Sequence, residues 1–201
     1  MLCRLAQLFL GLGLFGVSIG LMVRAGLGLG PWSVFHQGLA DQLGLSIGLV
    51  TNAVGALTLL LWIPLRQRPG IGTVANVLVI GTVADLTLWI VPPLEGLPLR
   101  TGLLLFAIAL NGVAGGMYIG AGLGPGPRDG LMTGIVRLTG WRVAPVRTGI
   151  ELTALAFGWL LGGTVGLGTV IFAFAVGPLV GLFLPVFDAE RRSRKILPVN
   201  P

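Results

Sequence analysis

Ionisable side chains interrupt several apolar stretches of this 201-residue chain. Arg147 and Glu151 are four residues apart, so they share one face of a helix. A charge at the centre of a membrane helix costs about 2.5–3.5 kcal/mol, and such groups typically pair with one another or mark the pathway of an ion or solute. The candidate pathway residues are Arg128, Asp129, Arg147, Glu151, Asp85, Asn76 and His36.

Each candidate also has a purely structural interpretation. Arg147 and Glu151 could neutralise each other, with Arg147 extending to the cytoplasm. Asp129 could cap a helix, which leaves Arg128 as either a site residue or a topology anchor.

Asp85, nine residues after Asn76, is either a protonated packing residue or part of an outer gate. His36 lies near Gln37 and Asn52 in the sequence, and these three could line one cavity. A lone histidine serves equally as a structural hydrogen-bond partner.

Soluble-enzyme chemistry has no support in the sequence. We find no Ser/His/Asp or Cys/His set, no HExxH motif and no paired-carboxylate site, and the glycine-rich turns lack the Lys-Ser/Thr ending of a phosphate-binding loop. Cys3 is the single cysteine, which excludes an intrachain disulfide and a multi-cysteine metal site. We therefore expect no enzymatic activity, no cofactor and no metal.

The composition places these residues in a membrane protein. Hydrophobic residues make up 54% of the chain and charged residues 10%, with a mean hydropathy of +0.95, whereas soluble domains carry about 25% charged residues. The net charge of +6 comes from cations at the ends of apolar stretches. Such cations indicate membrane topology, so we expect no nucleic-acid partner.

Six apolar stretches are long enough to cross a bilayer. The first is too long for a signal peptide and lacks a cleavage site, so we interpret it as a retained span. The predicted spans are Leu5–Val23, Ile47–Leu65, Ile71–Val91, Thr101–Gly120, Val143–Leu161 and Leu167–Val186.

The distribution of basic residues predicts the orientation of these spans. With the amino terminus inside, only Arg24 and Arg100 of the 13 basic residues fall on the outer side. Both termini are then cytoplasmic. The basic tail, residues 188–201, is either a solvated flank or a lipid-binding cluster.

The chain contains an internal repeat. A shift of 96 residues aligns Gly16–Leu86 with Gly112–Leu182 without a gap. This divides the chain into a first repeat, residues 1–92, and a second repeat, residues 93–187. Each repeat holds three spans, so the second must enter the membrane upside down, as in many transporters.

Each repeat also contains a Gly/Pro turn followed by a short helix. We predict that Ser33 caps a helix reaching Leu43 and that Asp129 caps one reaching Leu138. These helices either enter the membrane with their N-terminal ends facing a central solute or lie flat at the interfaces. The backbone-turn residues are Gly28, Gly30, Pro31, Gly124, Gly126 and Pro127.

Several motifs resemble the bacterial YczE-like (YczE/YyaS/YitT) integral membrane proteins. The resemblance implies residence in the inner membrane but brings no substrate. Ser33 departs from the acidic residue expected there, which puts a strictly two-fold charged site in doubt. The motifs are 26-GLGLGPW-32, 72-GTVAN-76, 122-GLGPGPRDG-130, 147-RTGIE-151 and 166-GLGT-169.

The predicted fold is therefore an all-helical, polytopic membrane protein with six spans in two inverted three-helix repeats. We expect it to transport or conduct a small solute through a site between the repeats. One alternative is a membrane-embedded binding subunit that needs an energy-coupling partner, and another is a non-transporting accessory or regulatory protein. The expected partners are the lipid bilayer, an unknown small solute, and either further copies of the chain or the coupling partner.

Overall fold

The computed structural model describes residues 1–188, and the predicted tail beyond them lies outside the described residues. Within that range all regular secondary structure is helical. The order of the helices confirms the prediction of an all-helical chain with a short helix after each Gly/Pro turn. The helices are α1 (Leu2–Ala25), α2 (Pro31–Leu43), α3 (Ile47–Trp62), α4 (Ile71–Ile90), α5 (Leu97–Gly120), α6 (Pro127–Thr139), α7 (Val143–Leu160) and α8 (Leu167–Phe187).

The helices support a multi-pass membrane protein but not the full count of six spans. Within residues 1–188, α1, α4, α5 and α8 are long and apolar enough to cross a membrane. A fifth span results if α2 and α3, bent by 113° at their junction, count as one. Helix α3 has 16 residues, about 24 Å of helix, and α7 carries Arg147 and Glu151. Whether α3 and α7 each cross alone stays a prediction.

Helices α1 and α5 form the centre of the structure and run in opposite directions. Near one end, the side chain of Gln7 donates a hydrogen bond to the carbonyl of Met117 over 2.9 Å. Near the other end, Arg100 Nε donates to the carbonyl of Ala25 over 2.7 Å. Gly11 allows the close approach, because a Cβ there would lie 2.8 Å from the backbone nitrogen of Tyr118.

Each central helix carries a second helix that runs parallel to it. Helix α4 packs on α1, and a Cβ at Gly16 would overlap the carbonyl oxygen of Ile80. Helix α8 packs on α5, and a Cβ at Gly112 would overlap Leu179. Small residues let helix backbones approach closely in a membrane, where the hydrophobic effect does not drive helices together.

The two Gly/Pro turns pack against the opposite half of the chain. Gly28 has φ +116° and lies against the start of α8, where Gly168 donates to the carbonyl of Leu27 over 2.8 Å. Gly124 has φ +124° and lies against the start of α4, where Gly72 donates to the carbonyl of Leu123 over 2.8 Å. Positions related by the 96-residue shift, called equivalent below, thus make matching contacts.

The predicted helix caps were wrong. Gly30 and Gly126 are the N-cap residues, and Pro31 and Pro127 begin the helices, so Ser33 and Asp129 lie inside the first turn. Proline suits the first helical position because its missing N–H would have no intrahelical acceptor there. This frees the Asp129 carboxylate for another contact.

One packing contact of the first half has no matching counterpart. Helix α3 packs along α4, whereas α7 and α8 do not form an extensive contact. Asp85 accepts hydrogen bonds from the Ser46 hydroxyl over 2.5 Å and from the Gly48 N–H over 2.8 Å, which fixes the start of α3 on α4.

Asn52 adds a second link between α3 and α4, because its Oδ1 accepts a hydrogen bond from the Gly81 N–H over 3.1 Å. The positions equivalent to Asn52 and Asp85 are Thr148 and Gly181. Neither residue forms the corresponding hydrogen bonds in the described chain, and a gap separates α7 from α8.

The turn contacts predict a specific sensitivity to added methyl groups. Gly28→Ala and Gly124→Ala should each lower the free energy of unfolding by roughly 1–3 kcal/mol, because alanine is strained at these φ values and its Cβ meets backbone. Thermal unfolding of the purified protein in detergent measures the change. Gly13→Ala and Gly102→Ala are matched controls in open space, and equal effects at all four positions would contradict this role of the turns.

Candidate functional site

The gap between α7 and α8 is a cavity of about 180 Å³. Residues from both halves of the chain line it, including aromatic side chains of α1, α2, α5 and α8. The polar and charged lining residues are Asn76, Asn111, Tyr118, Arg128, Asp129, Arg147 and Glu151.

The structure brings five of the seven candidate pathway residues together in this cavity. His36 lines a separate, smaller space of about 20 Å³ that shares Arg128 and Asn76 with the cavity. Asp85 lies apart from the cavity, at the junction of α3 and α4. The sequence reasoning did not select Asn111 or Tyr118, although a polar Asn111 in an apolar span was a usable signal.

Arg128 lies in the first turn of α6, beside the first turn of α2. Its guanidinium carbon is 5.5 Å from the ring centroid of Trp32, a distance typical of a cation–π contact. Trp32 and Arg128 are equivalent positions. The N-terminal ends of α2 and α6 therefore converge, and both place the positive end of a helix dipole toward the cavity wall.

Asp129 connects α6 to the central helix α5. Its Oδ2 accepts a hydrogen bond from the Tyr118 hydroxyl over 2.5 Å. Next to this pair, Gly126 leaves room for Asn76, whose Nδ2 would be 3.3 Å from a Cβ at that position. The Gly/Pro turn is thus held on one side by α5 and on the other by α4.

Arg147 and Glu151 form an ion pair along one face of α7. Arg147 Nε lies 3.0 Å from Glu151 Oε1, and the two side chains are 53% and 38% exposed. The pair agrees with mutual neutralisation, and it also faces the cavity. Both interpretations of this pair remain compatible with the geometry.

Asn111 is the most deeply buried polar residue of the cavity wall, with 1% of its surface exposed. Its Nδ2 donates to Ser18 Oγ over 2.7 Å, and the Ser18 hydroxyl in turn donates to the carbonyl of Phe15 over 2.7 Å. Because the Ser18 hydroxyl proton is used in the bond to Phe15, Ser18 Oγ can only accept a hydrogen bond from Asn111, so the Asn111 atom that faces it is Nδ2. The Asn111 Oδ1 atom then has no donor within the described part of the chain.

His36 presents a similar free acceptor in the smaller space. The Thr51 hydroxyl donates to the carbonyl of Ile47 over 2.7 Å, so it must accept from His36 Nδ1, 3.1 Å away. This assigns the proton to Nδ1. His36 Nε2 is left as a buried acceptor without a partner among residues 1–188.

Comparison with known proteins places the chain in a family. The model of a "Family of unknown function (DUF6198)" matches residues 2–185. The chain belongs to this family. It is 39% identical over 179 residues to an "Uncharacterized protein" of Haemophilus influenzae, covering 89% of this chain and 82% of the relative.

Two relatives from Bacillus subtilis confirm the YczE-like resemblance. The "Uncharacterized membrane protein YczE" is 38% identical over 172 residues, 85% of this chain and 80% of the relative. The "Uncharacterized protein YyaS" is 25% identical over 193 residues, 93% of this chain and 96% of the relative. No solved structure matches the chain.

The ion pair of α7 allows a double-variant test. If Arg147 and Glu151 only neutralise each other, Arg147→Met with Glu151→Gln should retain full expression and activity, because both charges vanish together. If the pair serves the pathway, the double variant should express normally but lose most activity, and we expect this second result. Expression level and solute flux are measured in parallel, with each single variant as control. A fully active double variant would show that the pair is structural.

Proposed function

We propose that the protein is a bacterial inner-membrane transporter or permease in which two inverted halves enclose a site for a small solute. The halves are residues 1–92 and residues 93–187, and both termini are cytoplasmic. The protein has no enzymatic role in this proposal. The observation that carries it is the charged and polar cavity built by residues of both halves.

The antiparallel pair α1 and α5 supports the inverted arrangement. Equivalent helices that run antiparallel are related by a two-fold axis perpendicular to both. If α1 and α5 cross the bilayer, this axis lies in the membrane plane, as in transporters with inverted repeats. The reciprocal contacts of the two Gly/Pro turns obey the same symmetry.

Two further contacts support re-entrant short helices over interfacial ones. Gly126, the N-cap of α6, lies beside Asn76, five residues inside α4. Gly30, the N-cap of α2, lies beside Phe172, five residues inside α8. Five residues correspond to about 7.5 Å of helix. Irregular backbone at such depth is stable where protein buries it or where it lines a cavity.

The position of the charged residues Arg128 and Asp129 also favours a solute pathway. In this proposal Arg128 and Asp129 are site residues and not the flank of a span, which the position of Gly126 beside Asn76, inside α4, supports. Charged groups at that depth are retained in membrane proteins mainly for ion and solute handling. A solute entering between α7 and α8 would meet Arg147 and Glu151 first and Arg128 next.

A membrane-embedded binding subunit that requires an energy-coupling partner is the second candidate. Helix α8 favours it, because no residue of its most apolar stretch is fully buried within the described chain, although one side of the helix packs on α5. The other side of α8 is open to lipid or to another membrane protein. The sequence offers no nucleotide-binding motif of its own, so ATP-driven transport would depend on such a partner.

Solute flux through the purified protein in liposomes tests the proposal. A panel of small amino acids, organic anions and cations is offered to liposomes with and without protein. We expect protein-dependent uptake of at least one class, and we expect Arg128→Gln to reduce it at least tenfold while Arg68→Gln, in the α3–α4 loop, leaves it unchanged. No uptake of any class, with an ATPase that co-purifies, would favour the second candidate instead.

A further inference from the structure

The cavity contains a cation whose hydrogen-bonding capacity is unused. Among residues 1–188, Arg128 stacks on Trp32 but donates no side-chain hydrogen bond. It lies at the N-terminal end of the 13-residue helix α6, where free backbone N–H groups add positive potential. A guanidinium beside a helix N-terminus is well suited to a carboxylate.

A second, independent observation lies on α5. Asn111 Oδ1 is buried in the cavity wall with no donor among residues 1–188, and the Ser18 hydroxyl fixes the orientation of the amide. Almost none of the oxygen's surface is accessible, so a ligand reaches it only when the neighbouring side chains of the wall shift. A buried carbonyl oxygen of this kind is costly unless an N–H or O–H group reaches it. The preferred ligand therefore carries a hydrogen-bond donor as well as an anionic group.

The formal charges of the cavity select between ligands that meet both requirements. Two arginines and two carboxylates line it, so its lining carries no net formal charge. A ligand with net charge would add an uncompensated charge inside a membrane protein. A zwitterion adds none and can still direct its carboxylate to Arg128 and its ammonium to Asn111.

We infer that the cavity binds a small zwitterionic amino acid, with the carboxylate on Arg128 and the ammonium donating to Asn111 Oδ1. This inference rests on the proposed solute site and names its substrate class. The cavity of about 180 Å³ has room for a small amino acid, and glycine, alanine and serine are simple ligands that carry both groups.

Binding of radiolabelled L-alanine to the purified full-length protein in nanodiscs tests the inference. Glycine and L-serine should displace it. Propionate lacks the ammonium, alaninamide lacks the carboxylate, and trimethylglycine lacks the N–H donors, so each should displace alanine at least tenfold less effectively. Displacement by propionate as strong as by glycine would overturn the inference in favour of a simple anion site.

Two variants test the individual contacts. Arg128→Gln should weaken alanine binding at least tenfold, whereas Arg68→Gln should not change it. Asn111→Leu should weaken alanine binding at least tenfold at a temperature where the variant is still folded; its melting temperature should fall slightly, because the hydrogen bond to Ser18 is lost with the unpaired acceptor. A folded Asn111→Leu variant with unchanged affinity for alanine would overturn the contact.

The inference and the proposed function can fail separately. Alanine binding without uptake in liposomes would keep the amino-acid site and overturn transport by the chain alone. Uptake of an anion or a cation, with no binding of alanine, glycine or serine, would keep transport and overturn the amino-acid site.

Discussion

Helices α1 and α5 cross in opposite directions with glycine and alanine at their contact, and the positions of the other helices follow from this pair. Gly11 brings α1 to the backbone of α5, and each central helix then carries one parallel partner, α4 or α8. Because a membrane gives little hydrophobic drive to pack helices, such close backbone contact is a principal source of stability. The two Gly/Pro turns follow α1 and α5 directly and pack on the opposite half of the chain.

The departure from symmetry is what creates the site. Asp85 and Asn52 fasten α3 to α4, and their equivalents Gly181 and Thr148 cannot fasten α7 to α8. Helices α3 and α4 are therefore in contact in the first half, whereas α7 and α8 are separated in the second. Asp85, a candidate pathway carboxylate in the sequence, instead binds the start of α3. The second half has no carboxylate at the equivalent position, where the cavity lies between α7 and α8.

Much of this organisation could be predicted from the sequence because it depends on local patterns. The length of the apolar stretches predicted the long helices, and the Gly/Pro motifs predicted the two short ones together with Arg128. The charges in an apolar stretch pointed to Arg147 and Glu151. The contacts that complete the site were not predictable, because they join residues distant in sequence. Asn111 meets Ser18 across 93 residues, and only the assembled structure shows that its amide oxygen lacks a donor. The predicted N-caps were wrong because each short helix begins at the proline of a Gly-Pro pair. Ser33 and Asp129 therefore lie in the first turn.

The central claim, that equivalent parts of the two halves face opposite sides of the membrane, is most directly tested by labelling one pair of equivalent exposed positions. Pro69 lies in the α3–α4 connection and Val165 in the α7–α8 connection. In a Cys3→Ser background, Pro69→Cys and Val165→Cys are each exposed to a membrane-impermeant maleimide, in intact cells and in inverted vesicles. Inverted halves predict that Val165→Cys reacts in cells and Pro69→Cys only in inverted vesicles. Reaction of both cysteines from the same side would contradict the inverted arrangement.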